Sequence, residues 1–232
     1  MSLTHQGRSV RAASLWLSFV AACALCAPAF AQNLITNPNV DGSLAPWTLD
    51  LSAPPDPVGD GTATFNSVQD VNGNAASGSV QIDVNADGGT GTANAEVAAV
   101  ECLAIPAPQQ TVTDTKYGAR LRVPSGAPTD GAYNASVEVR FFSDGSCATP
   151  VDDASEAQGR TLAAGVPDDA FWYDLAEPSF MPAASFNAQS VQVRVAVTKL
   201  SDTGSAVTVQ FDNVYIGLNG TTPVQLQHFD VE

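Results

Sequence analysis

Basic side chains are scarce in this 232-residue chain: nine lysines and arginines stand against 24 acids, for a formal charge of −15 and a pI near 4.1. Neutralising a phosphate backbone takes clustered Lys and Arg, so nucleic acid is excluded as a partner. Histidine is nearly absent, with only His5 and His228. A Ser-His-Asp or Cys-His device would have to rest on His228 alone, and no G-x-S-x-G, H-E-x-x-H, G-x-G-x-x-G or P-loop pattern is present. Charged residues make up only 14% of the chain, and 18 Gly and 15 Pro are spread along it, which excludes a heptad coiled coil. A glycosidase needs just two spaced carboxylates. Most acids here, such as Asp152-Asp153 and Asp168-Asp169, stand in turn-like contexts where a solvated surface is the default, so no enzyme activity is expected.

Long apolar runs are missing too, except at the start. Arg8 and Arg11 precede the run SLWLSFVAACALCAP (residues 14–28), and Ala29-Phe30-Ala31 supplies small residues at an A-x-A site. That order is a secretory signal. The run is shorter than the roughly 20 residues a spanning helix needs, so no transmembrane segment is expected. Residues 1–31 are read as a signal peptide and 32–232 as one domain, exported to the periplasm or the medium. The two arginines are not adjacent, which disfavours a twin-arginine route, and the chain stays apolar after Cys23, which disfavours a lipoprotein. The look of the leader points to a bacterial source. Its removal deepens the formal charge from −15 to −17, because it carries two Arg and no acid.

Of four cysteines, Cys23 and Cys26 belong to the leader. Cys102 and Cys147 remain, an even pair in an oxidising compartment, and are expected to form one disulfide. Two cysteines and one histidine cannot supply the usual zinc ligand set.

Along the rest of the chain apolar residues recur with period two. Ala63-Phe65, Ser79-Asp83, Leu121-Val123, Ala135-Phe141, Val191-Val197 and Val207-Phe211 all alternate, which puts one side of each strand on a core. Turn signals separate them, among them Asn72-Gly73, Asp87-Gly88-Gly89, Asp144-Gly145 and Asn219-Gly220. The Ala-rich stretch from Asn94 to Val100 is read as strand. No window holds a convincing amphipathic helix. About ten short strands without a repeat predict an all-β fold, a single antiparallel β-sandwich. Pro54-Pro55-Asp56-Pro57 is read as surface loop, and Ala148 to Asp169 as a polar loop with one short strand near Arg160 to Ala163.

The chain after the leader opens Asn33-Leu-Ile-Thr-Asn-Pro-Asn-Val-Asp-Gly-Ser-Leu-Ala-Pro-Trp47, and near its end stands Val207-Thr-Val-Gln-Phe-Asp-Asn-Val-Tyr-Ile-Gly217. Together these resemble the galactose-binding-like jelly-roll family, whose members include carbohydrate-binding modules of secreted glycosidases. The resemblance implies a jelly-roll sandwich whose first and last strands are neighbours. It also implies a structural Ca²⁺ shared by Asp41, where the family more often has Glu, and Asp212. Hard oxygen ligands suit calcium; the competing reading has Asp212 capping a turn or pairing with an Arg. A second calcium candidate, Asp83-Val-Asn85-Ala-Asp87-Gly88, lacks the closing acid of an EF-hand loop, because Asn94 stands at that position, and reads as an Asx-rich turn.

The function the resemblance implies is non-catalytic recognition of a cell-envelope or environmental polysaccharide. The alternative is a structural or adhesive surface module with protein partners. Sugars are gripped by an aromatic plane and a few polar groups. The richest aromatic cluster is Phe171-Trp172-Tyr173, where either Trp172 or its two neighbours face the core. The candidate ligand residues are Trp172, Tyr173, Arg140 and Arg122. The two arginines hold the polar phase of their strands and could share one sheet face. Trp47 is expected as a core plug, and Tyr117 and Tyr133 as packing residues.

Overall fold

A computed structural model describes residues 33–51, 61–85, 96–124, 133–162, 170–176, 182, 184–200 and 206–220. The leader, the Pro54–Pro57 stretch, His228 and the second half of the Asp83–Asn94 turn lie outside the described residues. Twelve strands are present among them: β1 (Thr48–Asp50), β2 (Gly61–Asn66), β3 (Ser79–Val84), β4 (Glu96–Ala104), β5 (Thr111–Val112), β6 (Thr115–Arg122), β7 (Tyr133–Phe142), β8 (Pro150–Thr161), β9 (Trp172–Ala176), β10 (Phe186–Asn187), β11 (Ser190–Lys199) and β12 (Val207–Leu218).

Two five-stranded sheets form the sandwich, ordered β1-β4-β11-β7-β8 and β2-β3-β12-β6-β9, with β5 and β10 as a small separate pair. Every pairing is antiparallel. Chain-consecutive strands such as β3 and β4, β6 and β7, and β11 and β12 lie in opposite sheets, the wiring of a jelly roll. Alternation along the strands does what the sequence implies. Val191, Val193, Val195 and Val197 of β11 face Val209, Phe211 and Ile82 of the other sheet across one continuous buried core. Trp47, Tyr117 and Tyr133 are all buried in it.

The closing strand changes phase in its middle. Its register passes from Asp212 opposite Arg120 to Tyr215 opposite Gly118, so two residues of β12 oppose one of β6. Asn213 sits in this bulge with φ of 48°, a left-handed conformation that Asn tolerates better than most residues. The bulge is why Val207, Val209 and Phe211 on one side, and Val214, Ile216 and Leu218 on the other, all reach the core. Gly118 is required opposite it: a Cβ there would stand 2.7 Å from the Tyr215 hydroxyl and 2.6 Å from the Leu175 carbonyl oxygen.

The first described residues lie against that same strand. Leu34 N–H donates to the Ile216 carbonyl at 3.1 Å, and Val214 N–H to the Pro38 carbonyl at 3.0 Å. The Asn33 side chain completes the clamp, with Oδ1 accepting from Ile216 N–H at 3.0 Å and Nδ2 donating to the Val214 carbonyl at 3.0 Å. The two ends that carry the family resemblance are therefore neighbours in space, but residues 33–47 form no strand, and β1, the first strand among the described residues, lies in the sheet opposite β12. Cys102 and Cys147 form the expected disulfide, with Cα atoms 6.1 Å apart, and tie β4 to the turn after β7.

One element departs from the sequence reading. The stretch expected to be loop holds β8, twelve residues long, paired with β7 from Arg140–Ser155 through Asn134–Thr161 and, past an irregularity, at Phe142–Pro150. It is an edge strand, and edge strands carry polar residues that discourage pairing with other chains. Its Asp, Ser, Glu and Gln therefore give no apolar alternation for a period count to find.

Candidate functional site

The outer face of the β1-β4-β11-β7-β8 sheet holds a cleft of about 890 Å³ lined by Asp50, Glu96, Glu138, Arg140, Gln192 and Arg194, with Phe142 and the Cys147 turn at one end. Its floor follows from register. Ala98 and Ala196 are paired, with Ser136 next in line on β7. Beside that row lie Val100, Arg194 and Glu138, and beyond them Cys102, Gln192 and Arg140.

Arg194 stands at the centre. Its Nη1 meets Asp50 at 2.6 Å, its Nη2 meets Glu96, and its Nε lies 3.5 Å from Glu138. All four side chains are largely buried. Burial works against the guanidinium charge, yet the three carboxylates outweigh it and raise the Arg194 pKa further. Glu138 is pushed up by burial first and by the neighbouring Glu96 second, while Ser136 and Arg194 pull it back. One cation among three carboxylates leaves this end of the cleft electronegative. The other end carries the exposed Arg140, whose guanidinium lies 5.8 Å from the centre of the Phe142 ring. Gln192, between the two ends, offers a donor and an acceptor.

The candidate ligand residues divide between the two sheets. Arg140 is in the cleft. Arg122 is on β6 in the opposite sheet, so the two arginines do not share a face; both hold the polar phase of their strands, but β6 and β7 belong to different layers. Trp172 is opposite Arg122 on the edge strand β9 and shares its outward phase, half-buried. Tyr173 faces the other way, opposite the buried Leu121, and packs against the core. The structure has Trp172 outward and Tyr173 inward, but Phe171, which both arrangements open in the sequence group with Tyr173, precedes β9 and is 68% exposed.

Asp212 is fully buried, and its carboxylate accepts hydrogen bonds from Val71 N–H at 2.9 Å and Asn213 N–H at 2.6 Å. Burial raises its pKa to about 7, and the carboxyl of Asp70 adds to the rise. Asp41 is exposed, its own N–H donating to Asn37 Oδ1 at 2.7 Å. Asp70 is the acid that sequence reading missed. It lies in a turn between β2 and β3, and only the fold brings it to the closing strand. Asp70 Oδ2 accepts from Asn72 and Asn74 N–H, while Oδ1 is buried without a partner among the described residues, as is Ser79 Oγ. Among the described residues no group of three or more His, Cys, Asp or Glu is placed to hold a metal ion. No helix there is long and apolar enough to cross a membrane.

No protein-family model matches this chain, and no curated protein matches it in sequence. Solved structures do match in fold. The enzymatically active domain of bacteriophage CBA120 tailspike protein 4 aligns with TM-score 0.50 and 14% identity over 81% of this chain, which spans about a fifth of that domain's length, 21%. The C-terminal family 22 carbohydrate-binding module of Clostridium thermocellum Xyn10B aligns with TM-score 0.44 and 15% identity over 81% of this chain and 99% of the module. A xylan-binding domain of the same module family aligns with TM-score 0.43 and 14% identity, covering 82% of this chain and 97% of that one. At 14% identity the likeness to the tailspike domain is one of fold. The jelly-roll sandwich implied by the two end motifs is the fold this chain has.

Proposed function

We propose that this protein is an exported, non-catalytic glycan-binding module, and that the cleft over β4, β11 and β7 takes the sugar. The observation that carries the reading is the cleft itself: a solvent-open trough on a rigid sheet, lined by Gln192, Arg140 and an ion cluster rather than by a core. Side chains fixed by strand register and by one another present hydrogen-bonding groups without an ordering cost on binding, which favours recognition of hydroxyls. Glu96 and Glu138 are both drawn to Arg194, so the two carboxylates serve an ion cluster and not an acid–base pair. The leader read in residues 1–31 supports export to the periplasm or the medium, as does a disulfide.

Calcium belongs to this reading as a structural ion. Asp212 and the neighbouring Asp70 carboxyl are hard oxygen donors, and Ser79 Oγ is one residue from the Val80–Phe211 pair of the same sheet. These residues, with backbone carbonyls, would hold the ion and let two adjacent carboxyls stay ionised. Among the described cleft-lining residues no aromatic plane is exposed, which favours a second reading, a surface module with protein partners.

The test is a binding screen of the full chain against soluble and insoluble polysaccharides, with calcium and with EDTA, beside Gln192→Ala and Arg140→Ala. Saturable binding weakened in both variants supports the cleft. Absence of binding to every glycan moves the reading to a protein partner.

A further inference from the structure

The sheet opposite the cleft carries a row of outward side chains that crosses all five strands in register. Thr64 of β2 pairs with Gln81 of β3, Gln81 with Gln210 of β12, Gln210 with Arg122 of β6, and Arg122 with Trp172 of β9. Strands stand about 4.8 Å apart, so the row is about 19 Å long. Its three middle members, Gln81, Gln210 and Arg122, are joined in a chain. Arg122 Nε–H donates to the Ala170 carbonyl at 2.7 Å and Nη1–H to Gln210 Oε1. Gln210 Nε2–H donates to Gln81 Oε1 at 3.2 Å, and Gln81 Nε2–H to Asp83 Oδ2 at 2.8 Å. Thr208 and Asn66 tie the same groups from the sides, at 2.6 Å each.

This arrangement locks each carboxamide and the guanidinium in one orientation and leaves part of their capacity unused. Arg122 has five N–H donors and each carboxamide nitrogen two, and the bonds above take two from Arg122 and one from each Gln. Gln210 is buried beneath its neighbours and acts as a brace, while Thr64 is exposed and Gln81, Arg122 and Trp172 are half-exposed. The arginines of the face are tied down: Arg122 is linked through two Gln to Asp83, and Arg120 pairs with Asp174 at 3.1 Å. A face whose two arginines are tied to amides and carboxylates and that ends in an indole suits a polyanion poorly. Planar amides with an aromatic edge suit the hydroxyls and the apolar ring face of a neutral pyranose.

We infer that the Thr64–Gln81–Gln210–Arg122–Trp172 row is a second glycan-binding face, taking a neutral polysaccharide chain laid across the strands with one sugar stacked on Trp172. The inference rests on the glycan-binding reading but places this contact on the sheet opposite the cleft. Two faces on one module let one protein bridge two chains or hold one insoluble surface more tightly than either face alone.

The experiment measures binding of the full chain to soluble neutral polysaccharides (xylan, mixed-linkage β-glucan and glucomannan) by affinity gel electrophoresis. Variants Trp172→Ala, Gln81→Ala and Thr64→Ala are run beside the cleft variant Gln192→Ala, each checked by thermal melt. The expected result is binding that survives Gln192→Ala in part, falls tenfold or more in Trp172→Ala and falls less in Gln81→Ala. Binding abolished by Gln192→Ala and unchanged in the three row variants overturns the second face and leaves the cleft standing. Binding abolished by the row variants and untouched by Gln192→Ala keeps this face and removes the cleft. No binding by the unmodified chain removes both. Should Trp172→Ala melt within the assay range, Gln81→Ala and Thr64→Ala decide, since both side chains reach solvent.

Discussion

Arg194 and Glu96 form an ion pair that arches over a row of small residues. Arg194 is in register with Val100, and Glu96 with Thr198, so the pair must cross the intervening Ala98–Ala196 row. Both alanines are fully buried although they lie on the outer face of their sheet. A larger side chain at either position would lift the arch. The cleft therefore has a floor because two alanines let a guanidinium and a carboxylate close over them.

Removing Arg194 should be expensive. The Arg194→Ala variant leaves Asp50, Glu96 and Glu138 facing one another, and breaking a buried ion pair by deleting one partner typically loses about 3–5 kcal/mol. Denaturant melts at pH 7 should show a loss of that size. A change under about 1 kcal/mol would mean the cluster is solvated and the cleft floor is not fixed by it.

The buried Asp212 predicts a pH response whose sign depends on calcium. Its carboxyl titrates at about 7 in the folded protein, above the value of about 3.9 in an unfolded chain. The stability it contributes is present below pH 4 and is lost as pH rises through 7. In EDTA the melting midpoint should thus fall between pH 5 and pH 8, and Asp212→Asn should flatten that fall. Saturating calcium should reverse it, because the ion binds the deprotonated pair. A calcium-insensitive midpoint at pH 8 would retire the metal site.

Much of the sandwich is legible because a half-buried strand must alternate. Val191–Val197 and Ala135–Phe141 declare both their conformation and their inward face, and Asn33 and Asp212 mark the two ends that meet. The polar edge strand β8 is illegible for the same reason, since nothing on it alternates. Site geometry is less accessible still. Whether Arg122 and Arg140 share a sheet depends on strand order, which period-two patterning does not encode, and the structure separates them. The partnership of Asp70 with Asp212 joins residues 142 positions apart, and the Asn72-Gly73 signal marks the turn but not the strand it packs against.

The disulfide should contribute to stability by an amount that grows with the logarithm of the loop it closes. Cys102 and Cys147 are 45 residues apart, and the chain-entropy model gives about 4 kcal/mol for such a loop, with engineered cases often lower. The paired change Cys102→Ser and Cys147→Ser should lower unfolding free energy by about 2–4 kcal/mol, and reductant should destabilise the unmodified chain equally. Asp144 holds the Cys147 turn by accepting from Ser146, Ala148 and Thr149 N–H, so that turn should persist in the reduced protein. Peptide mapping without reduction should recover the two cysteines joined.

Glu101 offers the cleanest test of how the opening segment is held. It follows Val100, the partner of Thr48, and so lies at the level where Trp47 enters β1. Glu101 Oε1 accepts from Thr36 N–H at 3.1 Å, while Oε2 and the Trp47 indole N–H are both buried without partners among the described residues. Burial raises the Glu101 pKa and the Thr36 contacts only partly offset it. The neutral carboxyl is thus the better fit, and its contribution fades as pH climbs through the raised value. Glu101→Gln keeps the acceptor for Thr36 and removes the ionisation. With calcium saturating, to hold Asp212 constant, the variant should match the unmodified chain at pH 4 and melt higher at pH 8. Each kcal/mol recovered corresponds to about 2–4 °C. A lower midpoint at pH 8 would show instead that the ionised carboxylate is what binds Thr36 and that the buried site contains a compensating partner.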